Sequence, residues 1–453
     1  MIEQVVGLAK SLTPIALIGA GGIGKTSIAL TVLHDDRIRE RFGHNRRFIR
    51  CDQFPASPLH FLARLSKVIG AAVEYPEDLR PLQPLLSSQD MLIVLDNAES
   101  ILDPQGADAQ EMYTLVDQLC QLKTLCIFIT SRTTKVPEYY KRPQMPTLSM
   151  EAARDIFYNI YRNREESAIL NHLLQRLGFH ALSITLLAAV ASHDTWDFEA
   201  LAKEWDIHRA QLLPTAVTGG LATTLELSLA SPTFHKLGPD ARGLLGVVAF
   251  FPQGVDERNL DWLFPTIPNA KNILDKSCVL SLMYRSNGFV TMLAPIRDYL
   301  RPKDPQLSPL LCAVRDCYST RLLVDAGPDI PGFAETGWII SEDLNAEHLL
   351  DVFTSISAEP VDIWDVVRHF IKHLYWHKPR QIMLGSKIEA LPNTHPSKPD
   401  CLSELSQLVE RAGNREEGKR LSALAGEVRG AQRGEIYMTN ALNWIKMVVD
   451  TTP

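Results

Sequence analysis

The residues best suited to chemistry lie near the start of the chain, where positions 19–26 read Gly-Ala-Gly-Gly-Ile-Gly-Lys-Thr. This segment matches G-x-x-x-x-G-K-[ST] at every fixed position, the pattern of a loop that binds nucleotide phosphates. Glycine lets backbone N–H groups approach phosphate oxygens, and the positive end of a following helix favours the anion. We expect Lys25 to contact the β- and γ-phosphates and Thr26 to ligate Mg²⁺. The predicted nucleotide contacts in this phosphate loop and at the next position are Gly19, Ala20, Gly21, Gly22, Ile23, Gly24, Lys25, Thr26 and Ser27.

A carboxylate, Asp96, follows the apolar run at positions 91–95. At the carboxyl end of a parallel strand it would lie beside the phosphate loop, so Asp96 is the predicted second partner of Mg²⁺. The next residue is Asn97, which cannot take a proton from an attacking water. Glu99 is close in sequence, and whether its carboxylate can reach the attacking water is left open. The pattern favours nucleotide binding over fast hydrolysis.

An arginine, Arg132, follows the next apolar run, at positions 125–130. A guanidinium donates hydrogen bonds in a fork that suits phosphate, so Arg132 could sense the γ-phosphate. An exposed arginine at a strand end is the equally weighted alternative. The candidate catalytic residues are therefore Lys25, Asp96 and Arg132.

Three histidines, His369, His373 and His377, recur every four positions and would share one helical face. That spacing can suit a metal ion. However, Phe370 excludes an HExxH motif, and the aromatic neighbours favour helix packing.

Apolar runs that alternate with helical stretches would position these residues. Strands are predicted at 15–18, 47–51, 91–95 and 125–130, and helices at 25–34, 58–72 and 109–122. Continuous apolar strands that alternate with helices indicate an α/β domain with a parallel sheet and helices on both faces. We assign this domain to residues 1–148.

The rest of the chain is predicted to be helical, with one hairpin. Helices are expected at 150–162, 168–191, 221–230 and 239–250, and Asn287-Gly288 lies between apolar runs at 281–284 and 289–292. Helices followed by a hairpin indicate a winged helix. We predict a helical domain at 149–220, a winged helix at 221–303 and an α-helical region at 304–453, which ends in a helical hairpin at 401–412 and 415–428.

Composition excludes several classes of protein. The net charge is −7 and no apolar run is long enough to span a membrane, so neither nucleic acid nor a membrane is an expected partner. The six arginines between positions 37 and 50 are interpreted as solvated surface charge around one strand, in preference to a binding patch. Seven cysteines without a CxxC pair argue against a disulfide framework. A cytoplasmic location is the expectation.

In order, the segments GAGGIGKTSIAL, MLIVLDNAES, FITSR, LGFHALSITLLA and TMLAPIRDYL resemble those of the NB-ARC ATPases of the STAND class, a class of P-loop NTPases. The segments IRCDQF, LDNAESILDP, SLASPTF, VVAFFPQGVDERNLDWLFP and LYWHKPR most resemble fungal NB-ARC proteins with downstream tetratricopeptide repeats. Against that family, the chain looks truncated at both ends, with 18 residues before Gly19 and one repeat at most at the C-terminus.

The resemblance implies a switch in signal transduction or an innate-immunity-like response, closed with ADP and opened by ATP, with protein partners or self-association. It makes Asp96 the Walker B acid and Arg132 the sensor. Positions 178–182 fall on the family's GxP motif, which would bring Ala181, in place of proline, and Leu182 to the adenine. Leu293 stands where many relatives have the histidine of a Met-His-Asp motif. Since it cannot donate a hydrogen bond, the usual ADP lock is absent or provided elsewhere.

Two other functions remain open. One is an active ATPase of the related AAA+ class, which needs an acid after Asp96 and an arginine from a neighbouring subunit. The other is a DNA-binding regulator that reads DNA through positions 270–282, where Lys271 and Lys276 are offset by Asp275.

Overall fold

The computed structural model describes residues 1–54, 56–73, 76, 78–102, 107–133, 136–212, 220–305, 308–324, 327, 337–355 and 362–450. The chain divides into two compact units, Met1–Cys312 and Ala313–Pro453. Within the described ranges, no helix combines the length and apolar character needed to cross a membrane. The finer division into four domains stays a prediction.

The first unit begins with a four-stranded parallel sheet in the order β1-β4-β3-β2. Its strands are β1 (Ile15–Ile18), β2 (Arg46–Arg50), β3 (Met91–Asp96) and β4 (Leu125–Ser131). The helices of this part are α1 (Ile2–Lys10), α2 (Lys25–His34), α3 (Asp36–Phe42), α4 (Pro58–Ile69), α5 (Gln83–Leu86), α6 (Glu99–Leu102) and α7 (Ala107–Cys120). The predicted α/β architecture is confirmed.

Helices cover both faces of this sheet. On one face, Leu92, Val94 and Phe128 share a core with α1, α2 and α3. Alternate residues of a strand point to the other face, and Ile93 and Ile127 are fully buried there. Helices α4 and α7 contact β2, β4 and each other, so they cover that second face. The phosphate loop and the ends of β3 and β4 therefore meet at one edge of a buried sheet.

A helical segment follows, with α8 (Met150–Ile160), α9 (Ala168–Arg176), α10 (Ala181–His193), α11 (Phe198–Leu212), α12 (Gly220–Ala230) and α13 (Pro232–His235). The helical character predicted at 168–191 is present as two helices, because Gly178 (φ 60°) and Phe179 (φ 55°) are left-handed and interrupt it. The chain turns there, and α10 begins at Ala181 with His180 as its N-cap.

The last part of this unit contains α14 (Asp240–Phe250), α15 (Leu260–Leu263), α16 (Ala270–Val279) and α17 (Ala294–Leu300). Strands β5 (Val255–Asp256), β6 (Tyr284–Ser286) and β7 (Phe289–Thr291) form an antiparallel sheet in the order β5-β7-β6. Asn287 and Gly288 both have positive φ, so the turn has two residues, as in a type I′ hairpin. The strand predicted from residue 281 is wrong at its start, because Ser281 has φ 59° and leaves α16 in a turn.

The remaining helices are α18 (Pro309–Leu322), α19 (Ile339–Thr354), α20 (Asp362–His377), α21 (Leu384–Ala390), α22 (Lys398–Arg411) and α23 (Arg415–Asp450). The helical hairpin predicted around Gly413 is present, and Gly413 has φ 108°. A tetratricopeptide-like array stays a prediction. In the second unit, the buried Arg380 pairs with Asp343 at 2.8 Å and Glu347 at 2.7 Å.

Candidate functional site

The phosphate loop joins β1 to α2, which begins at Lys25. Gly22 (φ 80°) and Gly24 (φ 102°) take left-handed conformations that favour glycine. A Cβ atom at Gly21 would lie 2.6 Å from the side chain of Pro295, and one at Gly22 would lie 2.7 Å from that of Leu182. Glycine is therefore needed both for the bend of the loop and for the close approach of two later segments.

The buried side chain of Lys25 lies inside the curve of this loop. Its Nζ donates to the carbonyl oxygens of Gly19 at 2.7 Å and Ala20 at 2.8 Å. Burial lowers the pKa of Lys25, whereas the carboxylate of Glu99 acts against that shift. Ile23 packs over Gly19, where a Cβ atom would meet its Cδ1 at 2.5 Å. The ammonium group is thus held at the centre of the loop, where phosphates are expected.

Asp96 ends β3 beside this loop and is buried. Its Oδ1 accepts hydrogen bonds from Thr26 Oγ1 at 2.7 Å and Thr130 Oγ1 at 2.6 Å. Burial raises the pKa of Asp96, and the two hydroxyl donors act against that shift. Hydroxyl and carboxylate oxygens this close are the hard ligands that Mg²⁺ prefers. Thr26 and Asp96 therefore fit the predicted metal partners, and Mg²⁺ there would neutralise phosphate charge.

Glu99 does not face the loop as a free base. It is 7% exposed, its Oε1 accepts from Arg132 Nε at 2.6 Å, and its Oε2 accepts from the Arg132 backbone N–H at 3.2 Å. The side chain of Arg132 also pairs with Asp298 of α17. Burial disfavours the guanidinium charge, but Asp298 and Glu99 outweigh that effect and raise the pKa of Arg132. The predicted sensor thus lies near the loop and is bound by two carboxylates.

The start of α10 contacts the same loop. His180 Nε2 lies 2.7 Å from the carbonyl oxygen of Gly21, and the Leu182 N–H donates to that of Gly22 at 3.0 Å. Since His180 Nδ1 accepts from the Ser183 N–H at 3.3 Å, the proton of a neutral ring is on Nε2. Burial lowers the pKa of His180, which favours that neutral form. Ala181 and Leu182 were predicted at this place, whereas His180 was not identified as a loop contact.

Helix α17 covers the loop from another side. Besides the Asp298 pair, Arg297 Nη2 donates to Asp52 Oδ2 at 3.0 Å and Nη1 donates to the Asp52 carbonyl at 3.2 Å. Asp52 follows β2, and its side chain is fully buried. Sequence reasoning missed Asp52, Arg297 and Asp298, because no local pattern links residues so far apart. Leu293, just before α17, is 41% exposed.

A cavity of about 400 Å³ opens between these segments. It brings together most of the predicted contacts; Gly19, Ala20 and Ile23 do not line it. It is lined by Gly21, Gly22, Gly24, Lys25, Thr26, Ser27, Leu30, Phe48, Arg50, Asp96, Asn97, Arg132, Ala181, Leu182, Thr185, Tyr284, Leu293, Ala294 and Pro295.

The histidines of α20 do not line this cavity, and His373 contacts backbone carbonyl groups instead. His373 is buried, and its Nε2 lies 3.0 Å from the carbonyl of Leu322 and 2.9 Å from that of Val324. In the portions of the chain that the structure describes, no three His, Cys, Asp or Glu residues are grouped to hold a metal ion.

Comparisons with known proteins gave structural likenesses only. No family model and no curated protein matches the chain. A STAND protein with a tetratricopeptide repeat sensor from Pyrococcus horikoshii is 13% identical with a TM-score of 0.48; the match covers 94% of this chain and 64% of that one. A Walker-type ATPase of Pyrococcus abyssi is 13% identical with a TM-score of 0.35, and the match covers 66% of this chain and 94% of that one. The ORC1 protein of Aeropyrum pernix in complex with DNA is 14% identical with a TM-score of 0.35, over 67% of this chain and 91% of that one.

The structure of this chain itself shows the essential parts of a P-loop NTPase fold. These are a parallel sheet, a glycine-rich loop that leads into a helix, and a buried carboxylate on a neighbouring strand that touches the loop threonine.

Proposed function

We propose that this chain binds ADP or ATP with Mg²⁺ and acts as a nucleotide-dependent switch of the STAND type, with slow or no turnover. The observation that carries the proposal is the state of Arg132. Its guanidinium lies at the nucleotide cavity, yet it is held by Glu99 and by Asp298 of α17. Arg132, whose guanidinium suits a terminal phosphate, is therefore also a contact to α17, because it pairs with Asp298, 166 residues later in the chain.

The same coupling applies to the loop itself. Residues of α10 bond to the carbonyls of Gly21 and Gly22, and Pro295 of α17 packs on Gly21. A ligand in the loop can shift the arrangement of these helices only if it binds two arrangements with different affinity. Because the loop that would hold the phosphates also contacts both helices, we propose that ADP and ATP bind the two arrangements with different affinities. We infer that nucleotide identity biases whether α17 stays on the loop.

Slow turnover is supported by the residues next to Asp96. Asn97 is not a base, and the carboxylate of Glu99 is bound to Arg132. The competing reading, an active AAA+-like ATPase, would need Glu99 to leave Arg132.

The DNA-binding alternative is not favoured, because Arg285 of the β6–β7 hairpin is paired with Glu257 and Asp275.

Further parts of the proposal concern organisation. We assign residues 1–148 to an NB-ARC domain, 149–220 to a helical domain, 221–303 to a winged helix and 304–453 to a tetratricopeptide-like region. The helices and three-stranded sheet between 240 and 300 support the winged helix. We also propose partners of protein type or self-association, a role in signalling, no nucleic-acid target and a cytoplasmic location.

The test begins with the purified full chain. Mass analysis of nucleotide retained through purification is expected to find ADP or ATP, and sizing with ATP and Mg²⁺ reports assembly. Lys25→Ala should abolish binding of both nucleotides, while Lys271→Ala, on the exposed face of α16, should leave it unchanged. Unchanged binding in Lys25→Ala, or none in the wild type, would disprove the proposal. Several turnovers per second would favour the AAA+-like alternative.

A further inference from the structure

We propose that Arg50 is a third phosphate-binding cation of this site, one that contacts the terminal phosphate of a nucleoside triphosphate and so distinguishes ATP from ADP. The inference rests on the proposed function, because it assigns a ligand selectivity to the same cavity. Sequence reasoning treated the arginines between positions 37 and 50 as surface charge. The structure separates Arg50 from the rest of that group.

The sheet places Arg50 beside Asp96. It is the last residue of β2, and its Cα is in register with that of Asp96 on the neighbouring strand β3. Adjacent strands lie about 4.8 Å apart. Arg50 lines the same cavity as Lys25 and Thr26, and 17% of its side chain is exposed. Its guanidinium therefore belongs to the wall of the cavity next to the predicted Mg²⁺ ligands.

The guanidinium of Arg50 donates hydrogen bonds to two residues. Nε donates to Asp52 Oδ1 at 3.2 Å, Nη2 donates to Asp52 Oδ2 at 2.9 Å, and Nη1 donates to the Tyr284 hydroxyl. A guanidinium has five N–H groups, so one on each terminal nitrogen makes no hydrogen bond to the residues that the structure describes. A pair of N–H groups on one planar group suits two oxygens of a phosphate.

The two residues that contact Arg50 hold its side chain rigidly. Asp52 is fully buried and is also bound by Arg297, while the Tyr284 ring lies 5.5 Å from the guanidinium carbon of Arg50. The side chain is thus fixed in place before any ligand arrives, which reduces the entropy lost on binding. This differs from Lys25, which bonds to the loop itself, and from Arg132, which two carboxylates hold.

Position along the phosphate chain decides which phosphate Arg50 would contact. The loop and the start of α2 bind the inner phosphates, whereas the terminal phosphate extends toward the metal ligands. β2 lies on the far side of β3 from the loop-bearing strand β1. Arg50 therefore lies beyond Asp96 as seen from the loop. The γ-phosphate of ATP would reach it there, whereas ADP has no phosphate at that position.

The experiment compares the affinities of the β,γ-imido analogue of ATP and of ADP, both with Mg²⁺, for each protein by calorimetry. Arg50→Gln should weaken the triphosphate analogue by about 10- to 100-fold, the range for a lost hydrogen bond to a charged group. ADP affinity should change by less than about threefold. The affinity of Arg50→Lys for the triphosphate analogue should lie between those of the wild type and Arg50→Gln, because lysine keeps the positive charge and loses the paired N–H groups of the guanidinium. The matched control is Arg47→Gln, on the same strand, whose guanidinium bonds to the backbone carbonyl of His44 and does not line the cavity.

A ratio of two affinities on one protein is insensitive to the fraction of the sample that is folded, so loss of the Asp52 pair does not obscure the result. Equal loss for both nucleotides, or no loss for either, in Arg50→Gln would overturn the inference and leave the proposed switch intact. A wild type that binds neither nucleotide would overturn both.

Discussion

Replacing Arg297 by methionine tests whether α17 holds the nucleotide in place. The Arg297 side chain is 11% exposed, and its guanidinium pairs with the fully buried Asp52. Methionine keeps a long apolar side chain and removes that guanidinium. Removing one partner of a buried ion pair costs about 3–5 kcal/mol. Asp52 keeps both bonds from Arg50, so we take about half of that value, roughly 2 kcal/mol.

This energy should appear in the rate of nucleotide release. If α17 must leave the phosphate loop before ADP escapes, roughly 2 kcal/mol corresponds to release about 30-fold faster, since about 1.4 kcal/mol is a factor of ten. The assay loads the protein with a fluorescent ADP, adds an excess of unlabelled ADP and follows the fluorescence decay. Asp52→Asn and the double variant complete a cycle, in which the two changes should be non-additive by roughly the same energy.

A matched control separates this effect from a general loss of stability. Arg242→Met removes the Arg242–Glu226 pair of the same unit, in which Arg242 is 60% exposed. Pairs of that exposure contribute less than about 1 kcal/mol, so release should change by less than about fivefold. Equal release rates in the Arg297 and Arg242 variants, with melting curves showing both folded, would refute the role of α17.

Three further predictions concern other residues. Ala181→Pro should raise the free energy of unfolding in urea by about 0.5–1 kcal/mol, because proline suits the first position of α10 and the preceding backbone is extended; a decrease would contradict this. Leu293→His should slow ADP release by roughly tenfold, because it places a hydrogen-bond donor at the cavity, whereas Leu293→Phe should not. Burial lowers the pKa of His373 below 6.5. As the pH drops below 6.5, the imidazole is therefore protonated in the unfolded chain before it is protonated in the folded one, so the free energy of unfolding should fall. His373→Gln should reduce that decrease between about pH 7.5 and 5.5 in urea titrations.

Sequence was a good guide to the features that depend on neighbouring residues. The helix at 25–34 and the buried strands at 91–95 and 125–130 follow from local apolar patterns, and each is present within one residue of its predicted bounds. The phosphate loop follows from glycine spacing. The interruption at Phe179 could not be predicted in the same way, because positive φ at a phenylalanine has no local signature.

The contacts that distinguish this site are long-range ones. Arg297 and Asp52 are 245 residues apart, and neither lies in a pattern that marks the other as a partner. From sequence, Arg132 was expected to be either a phosphate sensor or an exposed arginine at a strand end. The structure shows neither of these states, because Arg132 is bound to Glu99 and Asp298. Pairing of charges across a fold depends on tertiary packing, which a single sequence does not encode in its spacing.

The imidazole of His180 has a consequence for how this protein is made. It joins the phosphate loop to the first turn of α10 across 159 residues of sequence. A nascent chain that has emerged only to residue 150 contains the whole glycine-rich motif, but not the ring that holds the Gly21 carbonyl. Domains form from the N-terminus during synthesis, and long-range contacts close late. The contact between His180 and the Gly21 carbonyl can therefore form only after the start of α10 has left the ribosome, by which point the sheet and the glycine-rich motif have already been made.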